Sequence, residues 1–207
     1  MNNSQKIFII NYGMGNLRSV QKAFDRVGID AKICDCYKEL KNAQKLVLPG
    51  VGHFKKGIEN LKILGFYDTL NELILGKSMP ILGICLGMQL MTTYSEEGNC
   101  QGFGWVEAKT IKFSFDNNTL KIPHMGWNNL IIKKNNKLLT DINENDYFYF
   151  VHSFNIECKN SSDVVSTTFY GKEFVSVFNK DNIFGCQFHP EKSHDVGLKL
   201  LRNFCNL

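Results

Sequence analysis

Hydrophobic positions in the first half of the chain alternate between a strand period and a helix period. Lys6–Ile10 (KIFII) is a short apolar run that reads as a buried strand. From Leu17 the apolar positions are Leu17, Val20, Ala23, Phe24 and Val27, which share one helix face, and Gly28 suits the end of that helix. Ala31–Cys34 fits a second strand and Lys45–Leu48 (KLVL) a third, closed by Pro49-Gly50. Helical spacing returns around Phe54–Leu61 and Phe66–Leu75. Pro80–Ile84 is another buried strand and leads into a helix-like stretch, Leu86–Met91. Strand runs apolar along their whole length suit a sheet covered on both faces. Strands joined by helices through short loops imply right-handed crossovers and parallel pairing.

The second half is richer in strands. Val106–Phe113, Leu130–Lys133, Tyr147–Val151, Val164–Tyr170, Phe174–Phe178 and Ile183–Phe188 all have strand composition. Several of them are expected to join the same sheet in antiparallel fashion. At the C-terminus Val196, Leu200, Phe204 and Leu207 fall on one helical stripe. No repeat, low-complexity tract or linker interrupts residues 1–207. The pattern predicts one α/β domain: an open, mostly parallel twisted sheet flanked by helices, with antiparallel strands added in the second half.

Composition removes several classes of function. With 43% hydrophobic and 21% charged residues, the chain is neither disordered nor fibrous. No apolar run approaches the roughly 18 residues that a membrane span needs, so no membrane partner is expected. Met1–Lys6 is polar and does not read as a signal peptide. The net charge of +4 is small and no basic block stands out, which argues against nucleic acid. Seven cysteines, an odd number with no C-x-x-C pair, suit free thiols in a reducing cytoplasm.

Two glycine motifs fail on inspection. Gly13-Met14-Gly15 follows a strand as a dinucleotide-binding turn would, but Arg18 stands where that turn needs its third glycine. Gly76-Lys77-Ser78 resembles the end of a phosphate loop, but Asn71 occupies the opening glycine's position inside a helical pattern. None of His53, His124, His152, His189 and His194 pairs with another His or Cys at metal-ligand spacing, so neither a metal nor another cofactor is expected.

Three short segments carry chemistry. Gly83-Ile84-Cys85-Leu86-Gly87 sits where a buried strand meets a helix. A nucleophile on so tight a turn is held in a strained backbone above the sheet, and the flanking glycines allow strand and helix to pass closely. The helix start favours a thiolate, and the Leu86 N–H is aimed where an oxyanion would develop. His189-Pro190-Glu191 follows the strand Ile183–Phe188 and offers a base with a carboxylate able to orient it. Pro49-Gly50-Val51-Gly52 follows a third strand end and offers a second oxyanion donor, the N–H of Val51 or of Gly52. Taken singly, each also fits a plain structural role: a small core cysteine, a surface strand end, a simple loop. All three fall at the carboxyl ends of sheet strands, where open α/β sheets place their sites.

With these residues in place, the chain resembles the triad-type, class I glutamine amidotransferases over essentially its whole length. The nucleophile motif G-x-C-x-G-x-Q stands complete as Gly83-Ile84-Cys85-Leu86-Gly87-Met88-Gln89, and H-P-E as His189-Pro190-Glu191. Within them it is most similar to the glutaminase subunits of imidazole glycerol phosphate synthases. The resemblance rests on Asn11–Val20 (NYGMGNLRSV), Pro49–Gly52, Pro123–Asn128 (PHMGWN) and Tyr149–Phe154 (YFVHSF). One departure is Asn11, where those subunits usually carry Asp, which removes a charge near an implied subunit contact.

The resemblance implies that a Cys85 thiolate attacks the carboxamide of L-glutamine, with His189 and Glu191 completing the triad and the N–H groups of Leu86 and Val51 holding the oxyanion. It implies Gln89 and Glu96 as substrate-binding side chains, with the backbone at Ser153 and Phe154 clamping the amino-acid end. It further implies a (β/α)₈-barrel cyclase partner that receives the ammonia. Tyr12, Asn16, Trp127 and Tyr149 are candidates for that interface, as aromatic anchors often are. Core packing is the competing role for each, most of all for Tyr149. Rival functions are a related glutaminase feeding another synthase, a stand-alone Cys-His γ-glutamyl hydrolase, and a non-enzymatic binding module.

Overall fold

The computed structural model describes residues 6–115 and 120–207; the polar start at Met1–Gln5 lies outside the described residues. The apolar runs form strands as their composition dictates: β1 (Ile7–Ile10), then α1 (Leu17–Arg26), β2 (Lys32–Cys34) and β3 (Lys45–Leu48). Next come α2 (Phe54–Ile63), α3 (Phe66–Asn71), β4 (Ile81–Ile84) and the one-turn helix α4 (Leu86–Leu90). The helical run through Leu75 does not stay α-helical: its last turn, Glu72–Gly76, widens to π-type bonding.

The second half supplies β5 (Thr92–Ser95), β6 (Cys100–Gln101), β7 (Val106–Lys112), β8 (His124–Asn129) and β9 (Ile131–Ile132). It continues with β10 (Tyr147–His152), β11 (Phe154–Cys158), β12 (Val164–Tyr170), β13 (Lys172–Lys180), β14 (Ile183–Cys186) and α5 (His194–Cys205). Four of these strands, β5, β6, β8 and β11, have no counterpart in the sequence reading.

The large sheet runs β2-β1-β3-β4-β14-β13-β11-β7-β5-β6, with β12 and β9 branching from β13. From β2 to β14 all pairings are parallel, so five strands end on one rim. β14–β13, β13–β11 and β11–β7 are antiparallel, the additions expected for the second half. Not every strand of the second half joins it. Tyr147–Val151 does not join the central sheet: β10 pairs with β8 as a separate antiparallel ribbon, His152 opposite His124 and Tyr149 opposite Trp127.

Strand alternation divides the core into two layers. Phe8, Ile10, Leu46 and Leu48 pack with Phe54, Leu61, Phe66 and Leu90 on one face. Ile7, Ile9 and Val47 pack with Val20, Phe24, Leu200 and Phe204 on the other. Successive side chains point to opposite faces of a strand, so fully apolar strands with helices on both sides are what this sheet requires.

Candidate active site

The site is built by one strand pairing. β4 and β14 lie side by side with Ile84 level with Cys186, and the Cys85 N–H extends the ladder to the Cys186 carbonyl at 2.8 Å. The chain after β4 turns at once into α4, placing Cys85 at φ +53°, ψ −110°. The chain after β14 runs three residues further to His189. Cys85 and His189, remote in sequence, thus leave adjacent strands at the same rim.

Close passage explains the flanking glycines. A Cβ on Gly83 would sit 2.7 Å from the Met88 backbone, and one on Gly87 would overlap the Leu48 carbonyl oxygen of β3.

His189 and Glu191 lie in contact. Nδ1 of His189 lies 2.8 Å from Oε1 of Glu191, and both side chains are buried. Nδ1 therefore carries the proton, and Nε2, which makes no aligned hydrogen bond at rest, is the nitrogen left for Cys85. Burial pulls the imidazole pKa down. The Cys85 charge and hydrogen bonding, followed by Glu191, outweigh it and raise the pKa to about 10.

Cys85 opens into a cavity of about 280 Å³ lined also by Val51, Gly52, Leu86, Gln89, Glu97, Pro123, Val151, His152, Ser153 and Phe154. Of the substrate-binding residues read from the sequence, Gln89, Ser153 and Phe154 reach this cavity. Gln89 donates through Nε2 to the Phe154 carbonyl at 3.1 Å and to Gln187 at 3.0 Å, leaving its Oε1 as a free acceptor. Glu96 does not reach it. It is exposed, and its carboxylate accepts the Lys112 N–H at 2.7 Å. Its neighbour Glu97 lines the cavity instead, with Oε2 held by the Phe54 N–H at 2.7 Å. Adjacent residues on a turn point in different directions, and composition could not separate two glutamates.

The oxyanion elements are half assembled. The Leu86 N–H donates to the Gly50 carbonyl at 3.3 Å. In a trans peptide C=O and N–H point opposite ways, so the Val51 N–H is turned away from the Leu86 N–H. In this conformation the Gly50 carbonyl, and not the Val51 N–H expected there, faces the Leu86 N–H.

The interface candidates divide. Trp127 is 46% exposed, near exposed Met125 and Tyr147; its ring stacks on His194 at 5.0 Å and meets Tyr149 edge-on at 5.9 Å. Tyr149 is half-buried, under the Lys192 ammonium. Its backbone is bonded to the segment that carries His189: its carbonyl accepts the His189 N–H at 2.9 Å, and its N–H donates to Ser193 Oγ at 3.0 Å. Asn16 is exposed and caps α1 by accepting the Ser19 N–H. Tyr12 is corrected: it is fully buried, its hydroxyl lies against Gly50 without a partner, and burial together with the Cys85 charge pushes its pKa far up. Its ring belongs to the core under the Pro49–Gly52 loop. Asn11 donates to Asp35 at 2.6 Å, a bond that Asp at that position could make only by holding a proton.

Sequence reading missed two features. His124 and His152, distant in the chain, meet across the β8–β10 ribbon at 3.1 Å. Gln187 lies beneath the sulfur. Neither belongs to a motif whose spacing carries chemistry.

The glutamine amidotransferase class-I family model matches residues 8–206. The chain belongs to the class I glutamine amidotransferase family. This amidotransferase is 49% identical to imidazole glycerol phosphate synthase subunit HisH 2 of Methanococcus maripaludis, over 96% of this chain and 98% of the relative. It is 51% identical to subunit HisH 1 of a Campylobacter jejuni strain, over 97% and 100% of the two chains. These relatives place the amidotransferase among the glutaminase subunits of that synthase, an enzyme of histidine biosynthesis. A solved glutamine amidotransferase superposes with a TM-score of 0.77 at 18% identity, covering 96% of this chain and 97% of its own, which shows the shared fold.

Proposed function

We propose that this amidotransferase, acting as one domain, hydrolyses L-glutamine with the triad Cys85, His189 and Glu191 and passes ammonia to a (β/α)₈-barrel cyclase. The observation that carries the reading is the buried 2.8 Å His189–Glu191 pair, whose other nitrogen is left for the one cysteine that lines the cavity. The Cys85 thiolate adds to the carboxamide carbon, and its negative charge moves to the oxygen held by the Leu86 N–H. His189 gives its proton to the departing ammonia. It then takes one from water, which attacks the γ-glutamyl thioester. Seven free cysteines suit a cytoplasmic setting.

Substrate binding follows from what faces the cavity. Gln89 Oε1 and the Glu97 carboxylate are the acceptors for the substrate's ammonium end, and the backbone at Ser153 and Phe154 flanks them. Replacing Glu97 by Gln is expected to raise KM roughly 10- to 100-fold, the worth of a charge-assisted hydrogen bond, with kcat little changed. Glu96→Gln serves as the control and should match wild type in steady-state glutaminase assays.

The partner surface is the β8–β10 ribbon with Trp127 and Tyr149, together with Asn16 at the start of α1. Ammonia released into water at neutral pH is mostly protonated and lost, so an acceptor enzyme must cover the cavity. Docking there also reaches the base directly, because the Tyr149 backbone is bonded to His189. The Gly50–Val51 peptide must rotate to replace a carbonyl with an N–H in the oxyanion hole, and one such donor is worth roughly 10²–10³ in kcat. Glutamine turnover by the isolated chain is therefore expected to rise by about this factor when the cyclase and its nucleotide ligand are added. Equal turnover with and without them would end this part of the reading.

A further inference from the structure

The orientation of every amide beneath the nucleophile follows from one backbone carbonyl. The Phe154 oxygen can only accept, so the Gln89 atom 3.1 Å from it is the amide nitrogen. That nitrogen's second hydrogen points at Gln187, 3.0 Å away, so the atom facing it there is an oxygen. The Gln187 amide nitrogen is left, and it faces the Cys85 sulfur at 3.7 Å. Gln187 is fully buried and Gln89 nearly so, and turning either amide over would set like groups against each other with no water to relieve them.

The same carbonyl is held from its other side. His152 Nδ1 lies 2.7 Å from it and must carry the proton, which makes His152 Nε2 an acceptor for His124 Nδ1 at 3.1 Å. His124 Nε2 then accepts from Asn128 at 3.4 Å. The chain works only with both rings neutral. Burial keeps them so, lowering the pKa of His124 to about 4 and that of His152, which also feels His124 and His189, to about 3.

We propose that Gln187 is a catalytic residue, donating its Nε2–H to the Cys85 sulfur whenever that sulfur carries charge. This rests on the glutaminase reading above. Its largest effect falls on the second half of the reaction. Water adds to the thioester carbonyl and gives a proton to His189. The tetrahedral oxyanion then collapses, the C–S bond breaks, and the bonding pair stays on sulfur as glutamate leaves. The Gln187 N–H points at the atom where that pair arrives.

The test uses Gln187→Glu and Gln187→Met, assayed with the cyclase at a pH alkaline enough to ionise the new carboxyl. Gln187→Glu keeps an acceptor for Gln89 but presents no donor to sulfur. A charge-assisted hydrogen bond of this kind corresponds to a kcat loss of roughly 10- to 100-fold. KM should be unchanged or lower, and a γ-glutamyl thioester on Cys85 should accumulate in acid-quenched mass spectra. Gln187→Met also releases Gln89 and should raise KM. A Gln187→Glu enzyme with wild-type kcat, or one slowed with a raised KM and no thioester, overturns the proposal.

Nuclear magnetic resonance provides a second arm without turnover. In protein with ¹⁵N-labelled glutamine, the Gln187 side-chain amide signal should move on Cys85→Ala. No movement overturns the hydrogen bond even where the variants do not fold. If wild type and Cys85→Ser release glutamate equally slowly with the cyclase present, the glutaminase reading fails, while the resonance arm still judges the contact.

Discussion

Cys85→Ser is expected to lower glutamine hydrolysis by about 10⁴-fold or more, a loss on the scale of removing a triad nucleophile. The sulfur sits on a left-handed turn that no ordinary packing role requires, at φ +53°. It is the cysteine that lines the cavity, with His189 and Glu191 behind it. A serine hydroxyl in that place keeps the shape but is a far weaker nucleophile than the thiol it replaces. The measurement is glutamate release in the presence of the cyclase, with thermal melting to confirm an unchanged fold. Cys36, exposed and remote from the cavity, supplies the control: Cys36→Ser should match wild type. A Cys85→Ser enzyme keeping more than a tenth of the activity would remove the thiol from the mechanism.

Gly87→Ala is expected to cost most of the protein's stability. The added methyl would overlap the Leu48 carbonyl oxygen, which is backbone in a central strand and cannot swing aside. Relief requires α4 to lift away from β3, which also moves Cys85 off the rim. Ordinary overpacking costs about 1–3 kcal/mol, and a clash with fixed backbone should exceed it. At roughly 2–4 °C per kcal/mol for a chain of this size, the melting midpoint should fall by about 10 °C or more, or the variant should fail to accumulate in soluble form. Gly76→Ala makes the comparison, since a Cβ there meets nothing within 4 Å. A Gly87→Ala protein melting close to wild type would show that the turn tolerates a separation the packing does not suggest.

Much of the architecture was legible because it depends on local chemistry. Apolar runs such as Lys45–Leu48 and Pro80–Ile84 can be stable only as covered strands, and the spacing of Leu17, Val20 and Phe24 fits only a helix. β8 escaped notice because His124, Gly126 and two asparagines have weak strand composition; its pairing with β10 supplies what its sequence does not. Tyr12 looked like a surface aromatic next to a glycine turn and proved to be core, because the Pro49–Gly52 loop folds over its ring. Glu96 and Glu97 are chemically identical neighbours, and only the turn after β5 decides which one enters the cavity.

The order of apolar strands and helices, and the residue types at Cys85, His189 and Glu191, were determined by sequence alone, since periodicity and nucleophile chemistry are local properties. That Cys85 and His189 share a rim was decided by β4 pairing with β14 across a chain separation that no spacing rule spans. The Gly50 carbonyl turned toward Leu86, the facing histidines and the amide beneath the sulfur were likewise decided only by tertiary structure. Each is the orientation of a hydrogen-bonding group, and orientation is set by whichever partner the fold brings within 3 or 4 Å of it.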